Sequence, residues 1–276
     1  MALRSVKTIR SLDRGLEVLR LLSQSPPVGL TQLQRQVGLP KATLCRILLT
    51  LQSRGYAWQG IGDGRYRASY SLRTMSDGLE ARDRLAEVAG PILDKLCAKA
   101  LWPSDLSVRS GYWMQLVETS RSHSYFLLNR LQIGFRINML LSAPGRAYLA
   151  FCPHDEREEI LSLLRSEKDP GHYLANSPGR INRILQETRE CGYAKRERTW
   201  GGHYNEPKAK YNDRLSAIAV PILGRERVLG CINLVWFERL FRQEEMAEKH
   251  LSDLKKAAQN ITKEHDKSPR NNSDHP

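Results

Sequence analysis

The residues with the clearest capacity for chemistry lie between positions 41 and 46. Lys41, Thr43 and Arg46 carry hydrogen-bond donors, and the intervening Ala42 is small. An arginine can bind a guanine edge with two hydrogen bonds, and a threonine hydroxyl can bind a base or a phosphate. If these side chains point to solvent, the segment predicts a surface that binds nucleic acid.

An apolar stripe on the same segment predicts how these donors are oriented. Four side chains recur at positions i, i+3, i+4 and i+7 of a helix: Leu44, Ile47, Leu48 and Leu51. Such a stripe is typical of a buried helix face, so the donors are expected to project to solvent. Pro40 suits the first turn of this helix, and Gly55 suits its end.

Two further helices are predicted before this one. The first shows three leucines at helical spacing, which indicate a core-facing support: Leu12, Leu16 and Leu19. Thr31 and Gln34 have the spacing of a capping box that starts a second helix, and Gly38 ends it. Two helices joined by a short turn with glycine indicate a helix-turn-helix. A helical hairpin with a polar exterior is the alternative.

Residues 56–59 and 65–68 have the composition of short strands, and the glycine-rich segment 60–64 between them suits a turn. This β-hairpin predicts a wing beside the helix-turn-helix. Alternation along the second strand puts Arg65 and Arg67 on one face, where they can contact phosphates or a minor groove. The glycines lack the strand-to-helix context of a nucleotide site.

The charge is unevenly distributed along the chain. Its 276 residues are enough for two domains, and their formal net charge is +13. Residues 1–80 hold twelve basic and five acidic side chains, so less than a third of the length carries more than half of the net charge. This asymmetry favours a polyanion as the partner of the N-terminal domain, although a solvated basic surface has the same composition.

Other features of the composition indicate a cytoplasmic protein without a membrane partner. The start of the chain has no apolar run of the signal-peptide type, and no stretch is apolar for long enough to span a membrane. The five cysteines lie far apart along the sequence, which suits neither a disulfide framework nor a zinc knuckle. We therefore expect free thiols in a reducing compartment.

The sequence carries none of the common catalytic motifs. It has no G-x-S-x-G elbow, no P-loop and no H-E-x-x-H pair, and its histidines are scattered. We expect no catalytic residues, no metal site and no cofactor. An enzyme that processes a small acid stays open as an alternative, because catalytic triads are assembled in space rather than along the chain.

The C-terminal two thirds of the chain alternate between strand pairs and helices. The expected elements are hairpins over 105–119 and 217–237, and helices over 144–151, 155–166, 178–191 and 244–263. Strand pairs mixed with separate helices indicate an antiparallel-rich α+β domain. Ahead of them, Gly90 and Pro91 lie in the middle of a helical stripe and predict a kink or break that can act as a hinge.

Several motifs together point to one family. Residues 39–48 are LPKATLCRIL, and the C-terminal half contains SAPGRAYLA at 142–150, IAVPI at 218–222 and GCINL at 230–234. These segments resemble successive landmarks of the IclR family, the regulators named after the isocitrate lyase repressor, over residues 8–263. The resemblance implies a winged helix-turn-helix followed by a GAF-like effector-binding domain. It also implies a homodimer or dimer of dimers that binds a palindromic operator in double-stranded DNA.

A narrower resemblance concerns the effector. Residues 101–107, LWPSDLS, are similar to the branch of this family that controls aromatic-acid catabolism of the hydroxyphenylpropionate type. This branch implies an activator whose effector is an aromatic carboxylate. A repressor that senses a small aliphatic acid is the alternative.

The resemblance also implies where an effector binds. The helix start at Ser142 and Ala143 offers backbone N–H groups to a carboxylate. The other candidates are three strand residues, three apolar wall residues and two cations: Ala217, Cys231, Asn233, Leu106, Val108, Met114, Arg121 and Arg136. A polar residue is common in the family at the place of Ala217. For each of these side chains, plain packing or a solvated surface is the alternative.

Four segments are therefore expected. A winged helix-turn-helix DNA-binding domain occupies 1–70, a linker helix 71–84 and a GAF-like effector-binding domain 85–263. The last segment, 264–276, is rich in polar and charged residues and predicts a disordered tail.

Overall fold

The computed structural model describes residues 8–74, 81–123, 133–166, 170–203, 206 and 208–267. The chain divides into two compact units, Met1–Leu79 and Glu80–Pro276. The first unit has one apolar cluster, and the second has two clusters, on opposite faces of a sheet.

The first unit is a winged helix-turn-helix. Its elements, in chain order, are α1 (Arg10–Gln24), α2 (Leu30–Val37), α3 (Lys41–Ser53), β1 (Ala57–Gln59), β2 (Tyr66–Ala68) and a single turn, α4 (Ser71–Thr74). The two strands pair antiparallel, with Ala57 opposite Ala68. This half of the expected fold class is confirmed, and the strands lie within one residue of their predicted bounds.

Glycine makes the turn between α2 and α3 possible. Gly38 has a φ of 65°, in the left-handed region that other residues rarely adopt, and its N–H donates to the Gln34 carbonyl at 3.0 Å. Pro40 then precedes α3 in an extended conformation. The expected capping box is wrong, because α2 already begins at Leu30 and Thr31 is therefore inside the helix.

Helix α1 turns a different face to the core from the one expected. Val18 and Leu22 are buried, whereas Leu12 and Leu16 are 57% and 56% exposed. The expectation that Leu12 and Leu16 face the core is wrong, because only the C-terminal half of α1 reaches the apolar cluster of the first unit. Leu19, the third residue of the predicted stripe, is half-buried and packs against the cluster, so the expectation holds for Leu19 alone.

The second unit combines an antiparallel sheet with five long helices in its described part. In chain order the elements are α5 (Ala81–Ala100), β3 (Ser104–Ser110), β4 (Trp113–Thr119), β5 (Arg136–Asn138), α6 (Ala143–Phe151), α7 (His154–Ser166), α8 (Pro178–Cys191), β6 (Ala194–Lys195), β7 (Leu215–Leu223), β8 (Val228–Phe237) and α9 (Gln243–Lys267). Two short 3₁₀ helices, Arg121–His123 and Pro170–Asn176, join them.

The six strands follow the order β5-β4-β3-β8-β7-β6, and every pair is antiparallel. One apolar cluster joins α5 and α9 to one face of the sheet, and another joins α6, α7 and α8 to the opposite face. Both faces of the central strands are therefore covered, and β7 and β8 present apolar side chains on both sides. The α+β class with a GAF-like second domain is confirmed.

Helices α5 and α9 differ from their expected forms. Helix α5 continues through Gly90 and Pro91, so the predicted break is wrong. Pro91 and Glu87 are both exposed, so water can bind the Glu87 carbonyl that lacks an N–H partner at position 91. Helix α9 runs to Lys267, which takes the first four residues of the expected tail, and 268–276 lie outside the described residues.

None of the helices in the described ranges combines the length and the apolar character that crossing a bilayer requires.

Two glycines of the second unit allow a matched test of its packing. A Cβ at Gly145, in α6, would overlap the backbone carbonyl of Met139, whereas a Cβ at Gly179, in α8, would meet open space. We expect Gly145→Ala to lower the free energy of unfolding by about 1–3 kcal/mol. Gly179→Ala should change it little, or raise it by about 0.4–1 kcal/mol.

The measurement is urea unfolding of the full chain followed by tryptophan fluorescence, since four of the five tryptophans lie in the second unit. Equal stability of the two variants would contradict the close approach of α6 to Met139.

Candidate functional site

The first candidate surface is the N-terminal half of α3. Lys41, Ala42 and Arg46 are exposed, and Thr43 is half-buried. Leu44 and Leu48 are fully buried beneath them, and Leu51 is nearly so. The structure thus places the four sequence-predicted residues on the open side of a helix whose other side forms part of the core.

Sequence reasoning missed one residue of this face. Leu49 is 68% exposed and lies three residues after Arg46 and seven after Ala42, so it shares their side of α3. An exposed leucine can contact a thymine methyl group in a major groove. The signal was available, because Leu49 falls outside the i, i+3, i+4, i+7 stripe and must therefore point away from the core.

The wing separates the two arginines that were expected to act alike. The Arg67 guanidinium forms two hydrogen bonds to the Asp63 carboxylate, at 2.5 and 3.0 Å, and lies 4.9 Å from the centre of the Trp58 ring. The hydrogen bond from Arg67 and that from the Arg65 N–H lower the pKa of Asp63 to about 2. Arg67 therefore closes the turn of the wing, and its contact with DNA stays a prediction.

Arg65 stays available at the surface. Its side chain is exposed, and its one hydrogen bond to the described residues goes to the Pro27 carbonyl, at 3.4 Å. Ile61, in the turn of the wing, is fully exposed and was not predicted. Apolar side chains at such a tip can insert at the edge of a minor groove.

In the second unit, the alternation of the strands divides the predicted effector residues. Leu106 and Val108 face the cluster of α5 and α9, whereas Met114, Ala217 and Cys231 face that of α6, α7 and α8. Successive side chains of a strand point to opposite faces, so Leu106 and Val108 cannot line one pocket with Met114. Their grouping in the sequence analysis is wrong.

The start of α6 supports the expected anion-binding position. Ser142 is the N-cap, and its Oγ accepts a hydrogen bond from the Gly145 N–H at 3.0 Å. Asn138 Oδ1 accepts from the N–H groups of Leu140 and Leu141, which fixes the chain just before the helix. A fixed helix start has a partial positive charge that favours a carboxylate.

The two predicted cations are both engaged. Arg121 is buried and bonds Asp105 through Nε, at 3.0 Å, and Nη2, at 2.7 Å. Arg136 is exposed on β5, 3.9 Å from the centre of the Trp113 ring, and alternation with Ile137 puts it on the face away from Met114. Neither is a free cation beside the α6 start, which corrects both assignments.

A polar row crosses the sheet on the side that faces α6. Thr119, Asp105 and Asn233 are opposite one another on β4, β3 and β8. Thr119 donates to the Asp105 carboxylate at 2.7 Å, and Asn233 Oδ1 accepts from the Asp105 N–H at 2.8 Å. Burial raises the pKa of Asp105, but Arg121 and these polar contacts lower it more, so the net shift is downward.

Ser107 lies on the same face of β3, is fully buried, and its hydroxyl has no hydrogen-bond partner in the described part of the chain. Sequence reasoning missed Asp105, Ser107 and Thr119. The alternation of Asp105 and Ser107 with Leu106 and Val108 along β3 could have predicted a polar face on this strand. Of the predicted effector residues, this face collects Met114, Ser142, Ala143, Ala217, Cys231 and Asn233.

Among the residues that the structure describes, no group of three or more His, Cys, Asp or Glu side chains is arranged to hold a metal ion. The Cys231 thiol is buried on the same face, and burial raises its pKa well above the usual value, which keeps it protonated.

The fold and the exposed helix define a DNA-binding protein with a separate effector-binding domain. Two family models match it, the IclR helix-turn-helix domain over residues 11–59 and the bacterial transcriptional regulator IclR C-terminal domain over 81–263. The chain belongs to the IclR family of transcriptional regulators. The matched family and relatives are transcriptional regulators, not enzymes.

The individual relatives share less than a third of their residues with this chain in the aligned regions. The HTH-type transcriptional regulator TsaQ1/TsaQ2 of Comamonas testosteroni is 28% identical over 70% of this chain and 69% of its own. The acetate operon repressor of Salmonella typhimurium is 29% identical over 67% and 68%. A crystal structure of an IclR homolog of Microbacterium hydrocarbonoxydans, complexed with 4-hydroxybenzoate, shares the fold with a TM-score of 0.52 and 22% identity, over 93% of this chain and 99% of that one.

The buried ion pair gives a stability prediction. Asp105→Asn leaves Arg121 buried without its counter-charge and should cost about 3–5 kcal/mol of unfolding free energy at pH 7. The same change at Asp253, which pairs with Lys99 at the surface, should cost about 0–1 kcal/mol.

The pH dependence has a defined sign. Because the pKa of Asp105 is lower in the folded state than its ordinary value of 3.8, its contribution is present above that pH and is lost as the pH falls below it. Urea unfolding should therefore show a gap between wild type and Asp105→Asn that narrows below about pH 4. A gap that is small at pH 7 would contradict a stabilising buried pair.

Proposed function

We propose that the protein is an effector-controlled regulator whose α3 helix binds the major groove of operator DNA. The observation that carries this proposal is the exposed position of Lys41, Ala42 and Arg46 above buried leucines. A helix of a helix-turn-helix contacts base edges through its N-terminal residues. Arg46 is assigned to a guanine, Thr43 to a base or phosphate, and Lys41 to the backbone.

The wing supplies a second contact. Arg65 is exposed and suited to a phosphate, while Arg67 holds the turn that carries it through Asp63. This division of roles replaces the equal roles first expected for the two arginines.

A homodimer is supported by the first helix. Ile9, Leu12 and Leu16 are all more than half exposed and lie at helical spacing. An apolar stripe of this length suits the same stripe of a second copy, and a two-fold dimer fits a palindromic operator with half-sites about one turn of DNA apart. A dimer of dimers extends the same arrangement. A DNA-binding role locates the protein in the cytoplasm, where the chromosome is.

The effector proposed is a small aromatic carboxylate. The capped start of α6 at Ser142 and Ala143 offers a position for the carboxylate, and Met114, Ala217 and Cys231 offer apolar surface on the same side of the sheet. The structural relative with bound 4-hydroxybenzoate supports this class of ligand.

The response proposed is activation, which is supported by the resemblance of residues 101–107 to the activator branch. Helix α5, which packs on β3, β4 and α9, is the element proposed to couple the effector to the DNA-binding unit. An effector that binds the second unit more tightly in one state than in another shifts the population toward that state. Repression controlled by an aliphatic acid is the second candidate, and the name of the acetate operon repressor favours it.

The two arginines of the DNA-binding surface should respond differently to removal. Arg46→Ala should cost about 1–3 kcal/mol at the operator and relax the base preference. Arg65→Ala should weaken binding to every sequence and reduce the salt slope by about one. Arg20→Ala, on α1, removes the same charge elsewhere and serves as the control.

Fluorescence anisotropy with operator and random duplexes over a salt series measures both effects. Equal losses of Arg46→Ala on operator and random DNA would remove Arg46 from base recognition.

The effector proposal is tested by gel shift and by transcription in vitro, with the promoter beside the protein's own gene. An aromatic carboxylate among benzoates, phthalates and phenylpropionates should change the operator affinity or the promoter output about 5-fold or more, and raise the output. Benzyl alcohol and cyclohexanecarboxylate, which lack the carboxylate or the aromatic ring, are the matched controls.

Transcription that the protein lowers in the absence of any acid, and that an aliphatic acid restores, would favour the repressor. If every acid left both DNA affinity and output unchanged, the coupling would be wrong.

A further inference from the structure

A groove in the second unit is lined in part by Arg146 of α6 and by Trp200 and Leu215, which belong to the apolar cluster on the α6 side of the sheet. It has a volume of about 650 Å³ and is bordered by α8, by β6 with the segment that follows it, and by the start of α9. None of the predicted effector residues borders it. A volume of this size is typical of small-molecule sites.

The groove carries an excess of positive charge. Seven basic and four acidic side chains border it. Glu197 serves two of the arginines at once, because it bonds Arg146 Nη2 at 2.6 Å and lies 3.5 Å from Arg180 Nη2. One carboxylate thus balances two guanidinium groups.

The pKa of Arg146 is lower than usual, mainly because the guanidinium is buried. The charge of Arg180 lowers it further, and the opposing contacts with Glu197 do not restore it. An added anion in the groove would relieve this repulsion.

Two arginines that border the groove have no side-chain partner among the described residues. Arg183 on α8 and Arg198 after β6 are both exposed and have no hydrogen bond or ion pair from their side chains to the residues that the structure describes. They belong to two different elements that border the same groove.

Arg196 has a buried donor without an acceptor among the described residues. Arg196 borders the groove, is 7% exposed, and bonds Asp213 through both terminal nitrogens, at 3.0 and 2.7 Å. Its Nε is also buried, and this N–H finds no acceptor in the described ranges.

We propose that this groove binds a compact oxyanion with two or more negative charges, and that Arg183 and Arg198 are its main cationic contacts. Guanidinium groups bind carboxylate and phosphate oxygens with paired, charge-assisted hydrogen bonds. The shared chemistry covers polycarboxylates and phosphorylated metabolites. None of its lining residues is among those proposed for the aromatic effector.

The test is isothermal titration of the full chain with citrate and with pyrophosphate, at constant ionic strength set by chloride. The DNA-binding unit is also basic and can bind oxyanions, so two double variants are compared. Arg183→Gln with Arg198→Gln removes the groove cations, and Arg46→Gln with Arg65→Gln removes two cations of the DNA-binding surface. All four side chains are exposed, so both variants should fold.

The groove variant should lose about tenfold or more in affinity for one or both anions, while the DNA-surface variant should stay within about twofold of wild type. A loss for citrate alone identifies a carboxylate ligand, and a loss for pyrophosphate alone identifies a phosphate ligand. Unchanged affinity of the groove variant, or no binding by wild type at millimolar concentration, would overturn the proposal.

Discussion

The burial of Leu44, Leu48 and Leu51 is the constraint on which the functional surface depends. These side chains fix the rotation of α3 about its own axis, and each residue of a helix turns by about 100°. A shift of the buried stripe by a single position would therefore turn Arg46 away from solvent. The left-handed Gly38 and the extended Pro40 set where α3 begins, so local backbone geometry and core packing specify the same face.

The second unit depends on a different constraint, the alternation of a sheet that is buried on both sides. Each strand residue must suit one of two helical layers, and the polar residues Thr119, Asp105 and Asn233 collect on the α6 side. There the buried Arg121 pairs with the Asp105 carboxylate, and the capped start of α6 lies in the same layer. By contrast, the groove at the β6 edge of the unit is bordered by more cations than carboxylates.

Sequence patterns predicted those elements whose signal is local. The stripe of α3, the glycine turn before it and the two-stranded wing depend on residues a few positions apart, and all three are found where expected. The contacts of Arg67 and Arg121 could not be predicted, because they depend on which carboxylate the folded chain brings within reach. The face of β3 was misassigned for a related reason: apolar type alone does not distinguish two buried sides of a sheet, as Leu106 and Met114 show.

The most direct test of the central claim uses a thiol that the protein already carries on α3. Cys45 is exposed next to Arg46, Cys191 is exposed in the second unit, and the other three cysteines are buried. The rate at which a small alkylating reagent modifies Cys45 is measured by mass spectrometry with and without operator DNA. If α3 enters the major groove of the DNA, operator DNA should slow the modification of Cys45 about tenfold or more. The modification rate of Cys191 should stay unchanged. Equal rates at Cys45 with and without operator DNA would contradict the account.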